Sequence, residues 1–160
     1  MRRAFWLFAV VLSAFAAENP VAWSLAERGG SQPLKPGATF QARLVAKIEP
    51  GWHLYSTSQP PGGPIPTRIW LPAGQPFELG GAIGAPRPKV AFDQNFDMDV
   101  ESYDDTAAFT LPVRVSAGAP AGPRKLAVHA SFQACNDRMC LPPRTVKLEM
   151  PVEIAASVLK

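Results

Sequence analysis

The segment Lys125-Leu126-Ala127-Val128-His129-Ala130-Ser131-Phe132 places an apolar side chain at every second position. One row consists of Leu126, Val128, Ala130 and Phe132, and the opposite row contains Lys125, His129 and Ser131. Successive side chains of a β-strand point to opposite faces of the sheet. The alternation therefore predicts a strand with one face in a core and the other towards solvent.

The same period of two recurs in three further segments. Their apolar rows are Phe40, Ala42, Leu44, Ala46 and Ile48; Phe109, Leu111, Val113 and Val115; and Val146, Leu148, Met150 and Val152. Shorter strand candidates lie at residues 21–25, 52–55, 68–71 and 77–79. Most of the 18 prolines and 12 glycines fall between these segments, where turns are expected, and no segment has a convincing apolar row at helical spacing. We therefore predict an all-β, immunoglobulin-like antiparallel β-sandwich.

The amino terminus has the three parts of a secretory signal peptide. Met1-Arg2-Arg3 is a short positive region, residues 4–14 form an apolar run, and Ala14-Phe15-Ala16 fits the small-x-small cleavage pattern. The run is shorter than the roughly 20 residues that span a bilayer, which disfavours an uncleaved anchor. We predict a signal peptide over residues 1–17 and a mature protein outside the cytoplasm, where disulfides persist.

Residues 18–160, about 143 in number, suit a single domain. Loss of Arg2 and Arg3 with the signal peptide lowers the formal charge from +3 to about +1, and no basic cluster remains. This near-neutral balance argues against nucleic acid as a partner. The mature chain has no interior linker or repeat, so we expect one functional unit.

The two cysteines, Cys135 and Cys140, are separated by four residues. If residues 125–132 and 145–152 are strands, both cysteines lie in or beside the connection between them and can close a small ring. Such a ring stabilises a fold by only about 2 kcal/mol in the chain-entropy model. Thiol exchange needs one thiolate to attack a partner's disulfide and a second thiol to resolve the mixed disulfide. The spacing favours redox chemistry, and a purely structural staple remains an open alternative.

Three segments, in order along the chain, resemble the amino-terminal periplasmic domain of the thiol:disulfide interchange protein DsbD. They are Gly51-Trp52-His53-Leu54-Tyr55-Ser56, Phe92-Asp93-Gln94-Asn95-Phe96-Asp97, and the run from Phe132 to Val146 that contains both cysteines. The resemblance implies an immunoglobulin-like periplasmic domain that passes electrons to thioredoxin-like proteins and disulfide isomerases. It identifies the chain as a stand-alone version, whose electrons come from a membrane-embedded donor on a separate chain.

By motif position, the resemblance assigns roles to four residues. Cys140 would be the attacking sulfur that links to the partner, and Cys135 would be the resolving one. Phe96 would be the aromatic cap that shields the cysteines, and Tyr55 would lie beside them. Members of the family can carry one more residue between the cysteines, which changes the ring geometry. The resemblance implies no cofactor, and we expect a monomer that serves as a protein-disulfide reductase or electron-transfer domain.

Two other classes of function compete with this interpretation. A zinc site could combine Cys135, Cys140, His53 and His129, but the histidines are not paired in sequence and a secreted cysteine pair usually oxidises. We therefore expect no metal and interpret His53 as a half-exposed strand residue. A non-enzymatic binding module with a structural disulfide is the stronger rival. Its sign would be a bond that thioredoxin cannot reduce without unfolding the domain.

Overall fold

The structure, a computed structural model, describes residues 19–28 and 32–156. These residues form eleven strands: β1 (Val21–Arg28), β2 (Thr39–Ile48), β3 (His53–Tyr55), β4 (Arg68–Trp70), β5 (Phe77–Leu79), β6 (Lys89–Asp93), β7 (Met98–Tyr103), β8 (Thr106–Val115), β9 (Gly122–Phe132), β10 (Ala134–Cys135) and β11 (Arg144–Ile154). The predicted signal peptide lies outside the described residues. Within the described ranges, no helix is long and apolar enough to cross a membrane.

The strands pair antiparallel in three sheets. The first has the order β1-β2-β8-β5, the second β11-β9-β4 and the third β10-β3-β7-β6. Buried side chains from the first two sheets meet in one hydrophobic core. The protein is therefore an all-β, immunoglobulin-like antiparallel β-sandwich, as the alternating sequence predicts.

The apolar rows of β2, β8 and β9 are buried at every predicted position. On β11, Met150 and Val152 are buried, whereas Val146 and Leu148 are half-buried and pack at the margin of the core. The four shorter candidates also form strands, as β1, β3, β4 and β5. The sequence interpretation did not identify β6, β7 or β10 as strands, and all three belong to the third sheet.

The third sheet is joined to the core through β9. A single residue, Gln133, separates β9 from β10, so the core strand leads directly into the strand that ends at Cys135. In the β10–β3 ladder, Cys135 lies opposite His53. Because cross-strand partners point to the same face of a sheet, Cys135, His53 and Tyr55 share one face. The other face carries Leu54 into the main core, which anchors the small sheet.

Candidate functional site

Cys135 and Cys140 are joined by a disulfide across a tight hairpin, with their Cα atoms 4.0 Å apart. Two backbone hydrogen bonds of 2.9 Å flank the pair, one from the amide of Asn136 to the carbonyl of Met139 and one from the amide of Leu141 to the carbonyl of Ala134. The cysteines thus occupy a non-hydrogen-bonded pair of an antiparallel ladder, where opposite side chains lie closest. The backbone holds both sulfurs in bonding range.

The turn between the cysteines is organised by the side chain of Asn136. Its Oδ1 atom accepts hydrogen bonds from the backbone amides of Arg138 and Met139, each 2.9 Å long. This is an Asx-type turn, in which an asparagine side chain replaces a backbone acceptor. Pro142 and Pro143 follow the hairpin and restrict its exit to extended conformations. The short loop is therefore ordered by local hydrogen bonds rather than by core packing.

The two cysteines differ in their access to solvent. Cys135 is fully buried, whereas Cys140 is half-buried at the surface of the hairpin. Three neighbours of Cys140 in the loop, Asp137, Arg138 and Met139, are exposed. Cys140 is therefore the more exposed of the two cysteines.

A small cluster of buried side chains, Tyr55, Val100 and Cys135, lies apart from the main core. Phe96, Met98 and Cys140 are partly buried and pack against it. The ring of Phe96 meets the ring of Tyr55 edge to face, with centroids 5.8 Å apart and an interplanar angle of 88°. This geometry is favourable between aromatic rings. The structure thus gathers the four sequence-predicted site residues into one cluster around the disulfide.

The segment that carries Phe96 is a turn at the tip of the β6–β7 hairpin, residues 94–97, which we call the cap turn. Asp93, the last residue of β6, organises it: its Oδ1 accepts a 2.8 Å hydrogen bond from the amide of Asn95, and its carbonyl accepts one of 3.3 Å from the amide of Phe96. The side chain of Asn95 donates to the carbonyl of Asn136 at 3.5 Å. The cap turn therefore contacts the cysteine hairpin as well as Tyr55.

A polar array lies beneath the cap turn. The Tyr55 hydroxyl donates a 2.7 Å hydrogen bond to Oδ2 of Asp93, and Nε2 of His53 lies 3.2 Å from the same hydroxyl oxygen. Nε2 is also 3.7 Å from Asp93 Oδ2. Asp93 is only 8% exposed, and a buried carboxylate is tolerated only when hydrogen bonds or charges compensate for lost hydration. His53 and Tyr55 supply that compensation.

Burial shifts the pKa values of two residues of this array, His53 and Tyr55. Burial is the largest influence on His53 and lowers its pKa, an effect that the carboxylates of Asp93, Asp104 and Asp137 oppose. The pKa of Tyr55 is raised, first by burial and then by its hydrogen bond to Asp93. Tyr55 consequently remains a protonated donor across the physiological range. Since its proton is directed to Asp93, the Tyr55 oxygen is available to accept a hydrogen bond from His53.

An open groove of about 800 Å³ runs beside the array and the cysteine hairpin. Its lining includes His53, Lys89 and four aspartates, Asp93, Asp104, Asp105 and Asp137. The groove therefore has several acidic side chains, and it reaches the cysteine hairpin at Asn136 and Asp137.

Sequence reasoning missed Asp93 and set His53 aside. Asp93 belongs to a segment that resembles the family, but its hydrogen-bond partner Tyr55 lies 38 residues away in the chain. His129, the other histidine of the zinc alternative, stacks edge-on against Trp70 with ring centroids 5.5 Å apart, on the second sheet. Among residues 19–28 and 32–156, no group of three or more histidine, cysteine, aspartate or glutamate side chains is arranged to hold a metal ion.

The fold and the site define an immunoglobulin-like domain with a disulfide in a short hairpin beneath an aromatic turn. Residues 29–151 match the family model described as thiol:disulfide interchange protein DsbD, N-terminal, and the chain belongs to this family. No curated protein matches its sequence.

Two solved structures are similar to this domain. The DsbD N-terminal domain from Neisseria meningitidis, crystallised in the reduced form, is 15% identical with a TM-score of 0.49, over 70% of this chain and 77% of that one. The N-terminal periplasmic domain of ScsB from Proteus mirabilis is 12% identical with a TM-score of 0.54, over 88% of this chain. The match spans 49% of the ScsB domain, about half of its length. The ScsB likeness supports the assigned fold.

Proposed function

We propose that this chain is a thiol:disulfide interchange domain that passes reducing equivalents through Cys135 and Cys140 to client proteins. The observation that carries the proposal is the asymmetric disulfide: one cysteine is buried and the other is partly exposed, in a short hairpin of a member of the DsbD N-terminal family. The family membership supports thiol:disulfide exchange as the reaction. The greater exposure of Cys140 supports this cysteine as the one that a client reaches first.

The exchange proceeds in two displacements. The Cys140 thiolate of the reduced domain attacks one sulfur of a client disulfide, which forms a mixed disulfide and releases the first client thiolate. The Cys135 thiolate then attacks the Cys140 sulfur, closes the intramolecular bond and releases the second client thiolate. The client gains two electrons and, after protonation, two protons, and the domain loses the same. We assign the first role to Cys140 because it is the more exposed of the two cysteines.

Reduction of the domain runs through the same steps in reverse, with a dithiol donor in place of the reduced client. From the family we infer a membrane-embedded donor and clients among periplasmic thioredoxin-like proteins and disulfide isomerases. We further propose a periplasmic, monomeric domain of residues 18–160, formed after removal of the signal peptide that the sequence predicts at residues 1–17. In this scheme, Phe96 and Tyr55 shield the disulfide between encounters.

The test is capture of a mixed disulfide. Reduced Cys135→Ala and Cys140→Ala proteins are mixed with an oxidised periplasmic disulfide isomerase, and the products are separated without reductant. The Cys135→Ala protein should accumulate a covalent complex, because the resolving thiol is missing, whereas the Cys140→Ala protein should form little complex and fail to transfer electrons. The double variant is the control for non-covalent association. Unchanged electron transfer by both single variants would disprove the proposal.

A further inference from the structure

Asp93 accepts three hydrogen bonds that together fix the position of the turn carrying Phe96. Its Oδ1 and its carbonyl oxygen accept hydrogen bonds from within the cap turn, and its Oδ2 accepts one from Tyr55 on β3. One residue thus folds the cap turn and fastens it to the neighbouring strands. Among the described residues 93–97, only Asp93 is bonded both within the turn and to Tyr55.

The bond from Tyr55 is the strongest of the side-chain ties between residues 93–97 and other strands. At 2.7 Å it is buried and has a charged acceptor, whereas the bond from Asn95 to the cysteine hairpin is 3.5 Å long and exposed. Hydrogen bonds to ionised groups are shorter and about twice as strong as neutral ones. His53, with Nε2 at 3.7 Å from Oδ2, adds a second polar neighbour on the same side of the carboxylate.

Tyr55 connects this bond to the disulfide. Its ring belongs to the same buried cluster as Cys135, and the ring of Phe96 stands on it edge to face. If the end of the β6–β7 hairpin moved away with Asp93, the Phe96–Tyr55 contact and the Tyr55–Asp93 hydrogen bond would both break. The two contacts are therefore expected to open together.

We propose that Asp93 is a positioning residue, which holds Phe96 against the cluster that contains Cys135 through the hydrogen bond it accepts from Tyr55, so that this bond acts as a latch on the cap turn. The inference rests on the proposed function, since a latch matters only if partners need to reach the sulfurs. It assigns a role to a carboxylate that the two-step exchange does not use.

The latch is tested without any client, by the rate at which a water-soluble phosphine reduces the disulfide of the folded domain at fixed pH. Loss of a hydrogen bond to a charged group shifts an opening equilibrium by about tenfold or more. Tyr55→Phe and Asp93→Asn should therefore each accelerate reduction about tenfold. Ser56→Ala is the matched control, because the Ser56 hydroxyl bonds to Glu101 on β7 and not to the cap turn.

A double-mutant cycle separates a latch from a general loss of stability. In a Phe96→Ala background the cap is already removed, so adding Tyr55→Phe should change the rate by less than about twofold. Low urea concentrations should leave the wild-type rate nearly unchanged, as expected for local opening. Equal acceleration by Tyr55→Phe in both backgrounds, or none in either, would overturn the latch. Because no client is present, the outcome is independent of whether mixed disulfides are captured.

Discussion

Tyr55 and Asp93, 38 residues apart in the chain, are joined by a buried 2.7 Å hydrogen bond between β3 and the end of β6. The bond lies on the face of the third sheet that carries Cys135. It links the strand beside the disulfide to the turn that bears Phe96. A change in the hydrogen bonding of this buried carboxylate is therefore expected to change how easily a partner reaches the disulfide.

Removal of the cap ring should expose the thiols. In reduced protein, Phe96→Ala should raise the rate of alkylation by iodoacetamide about two- to tenfold, because an aromatic pair contributes about 0.5–1.5 kcal/mol beyond area burial. Phe92→Ala is the matched control, since Phe92 lies on the same hairpin but is 60% exposed and outside the cysteine cluster. Equal rates in wild-type and Phe96→Ala protein would remove Phe96 from the site.

Stability should depend on the protonation of His53. Burial lowers its pKa in the folded state, so the unfolded state binds the proton more readily. The free energy of unfolding should therefore fall as the pH decreases from about 7.5 to about 5.5, through the unfolded pKa of about 6.5. The groups that face His53 and modulate this effect are Asp93 and Lys89 on β6, Asp104 after β7, Asp137 in the cysteine hairpin and Tyr55 on β3.

The measurement is urea unfolding of wild type and His53→Gln across that range of pH. The variant should lack the His53 part of the slope, so the stability of wild type relative to the variant should fall as the pH decreases. A slope that is identical in both proteins would mean that His53 does not titrate as its surroundings require. The comparison also cancels the contributions of all other groups that titrate in the same interval.

The four long strands were predictable because each presents one face to the main core. In β2, for example, Leu44 is buried and its neighbours Arg43 and Val45 are exposed or half-buried, which is the alternation that the sequence shows. Strands β6 and β7 were not predictable in this way. The face that they turn to the site includes two buried polar residues, Asp93 and Ser102, which interrupt the apolar alternation.

Some parts of the site could likewise be predicted from the sequence, and others could not. The cysteine pair and the motif around Phe96 were visible in the sequence because their chemistry is local. The Tyr55–Asp93 bond was not, since a lone aspartate before a turn is more often a solvated capping residue. Only the pairing of β3 with β7, and of β7 with β6, brings the two residues together.

The Asn136 side chain should influence the redox equilibrium of the disulfide. It accepts two backbone hydrogen bonds that shape the turn between the cysteines. Asn136→Ala should loosen the turn, lower the effective concentration of one thiol for the other, and make the reduction potential less negative. A loss of about 1 kcal/mol corresponds to about 20 mV. Asn136→Ser, which keeps a short acceptor, should restore part of the shift, and an unaltered potential in the alanine variant would show that the turn forms without this side chain.

The main core should set global stability independently of the disulfide. Leu44 is fully buried opposite Phe109, and Leu44→Ala should lower the free energy of unfolding by about 2–5 kcal/mol. Reduction of the disulfide should lower it by only about 2 kcal/mol. Lys47→Ala, at an exposed position of the same strand, should stay within about 0.5 kcal/mol of wild type. If reduction alone lowered the free energy of unfolding by about 5 kcal/mol or more, the disulfide would be a principal structural element.

The reduction potential of Cys135–Cys140 in the folded mature domain tests the proposed function most directly. It is measured by equilibration with glutathione or thioredoxin buffers while circular dichroism follows the fold. We expect a reversible couple near the thioredoxin value of about −270 mV, with the β-sandwich intact in both states. A bond that resists reduction until the domain unfolds would contradict the account and make the disulfide structural.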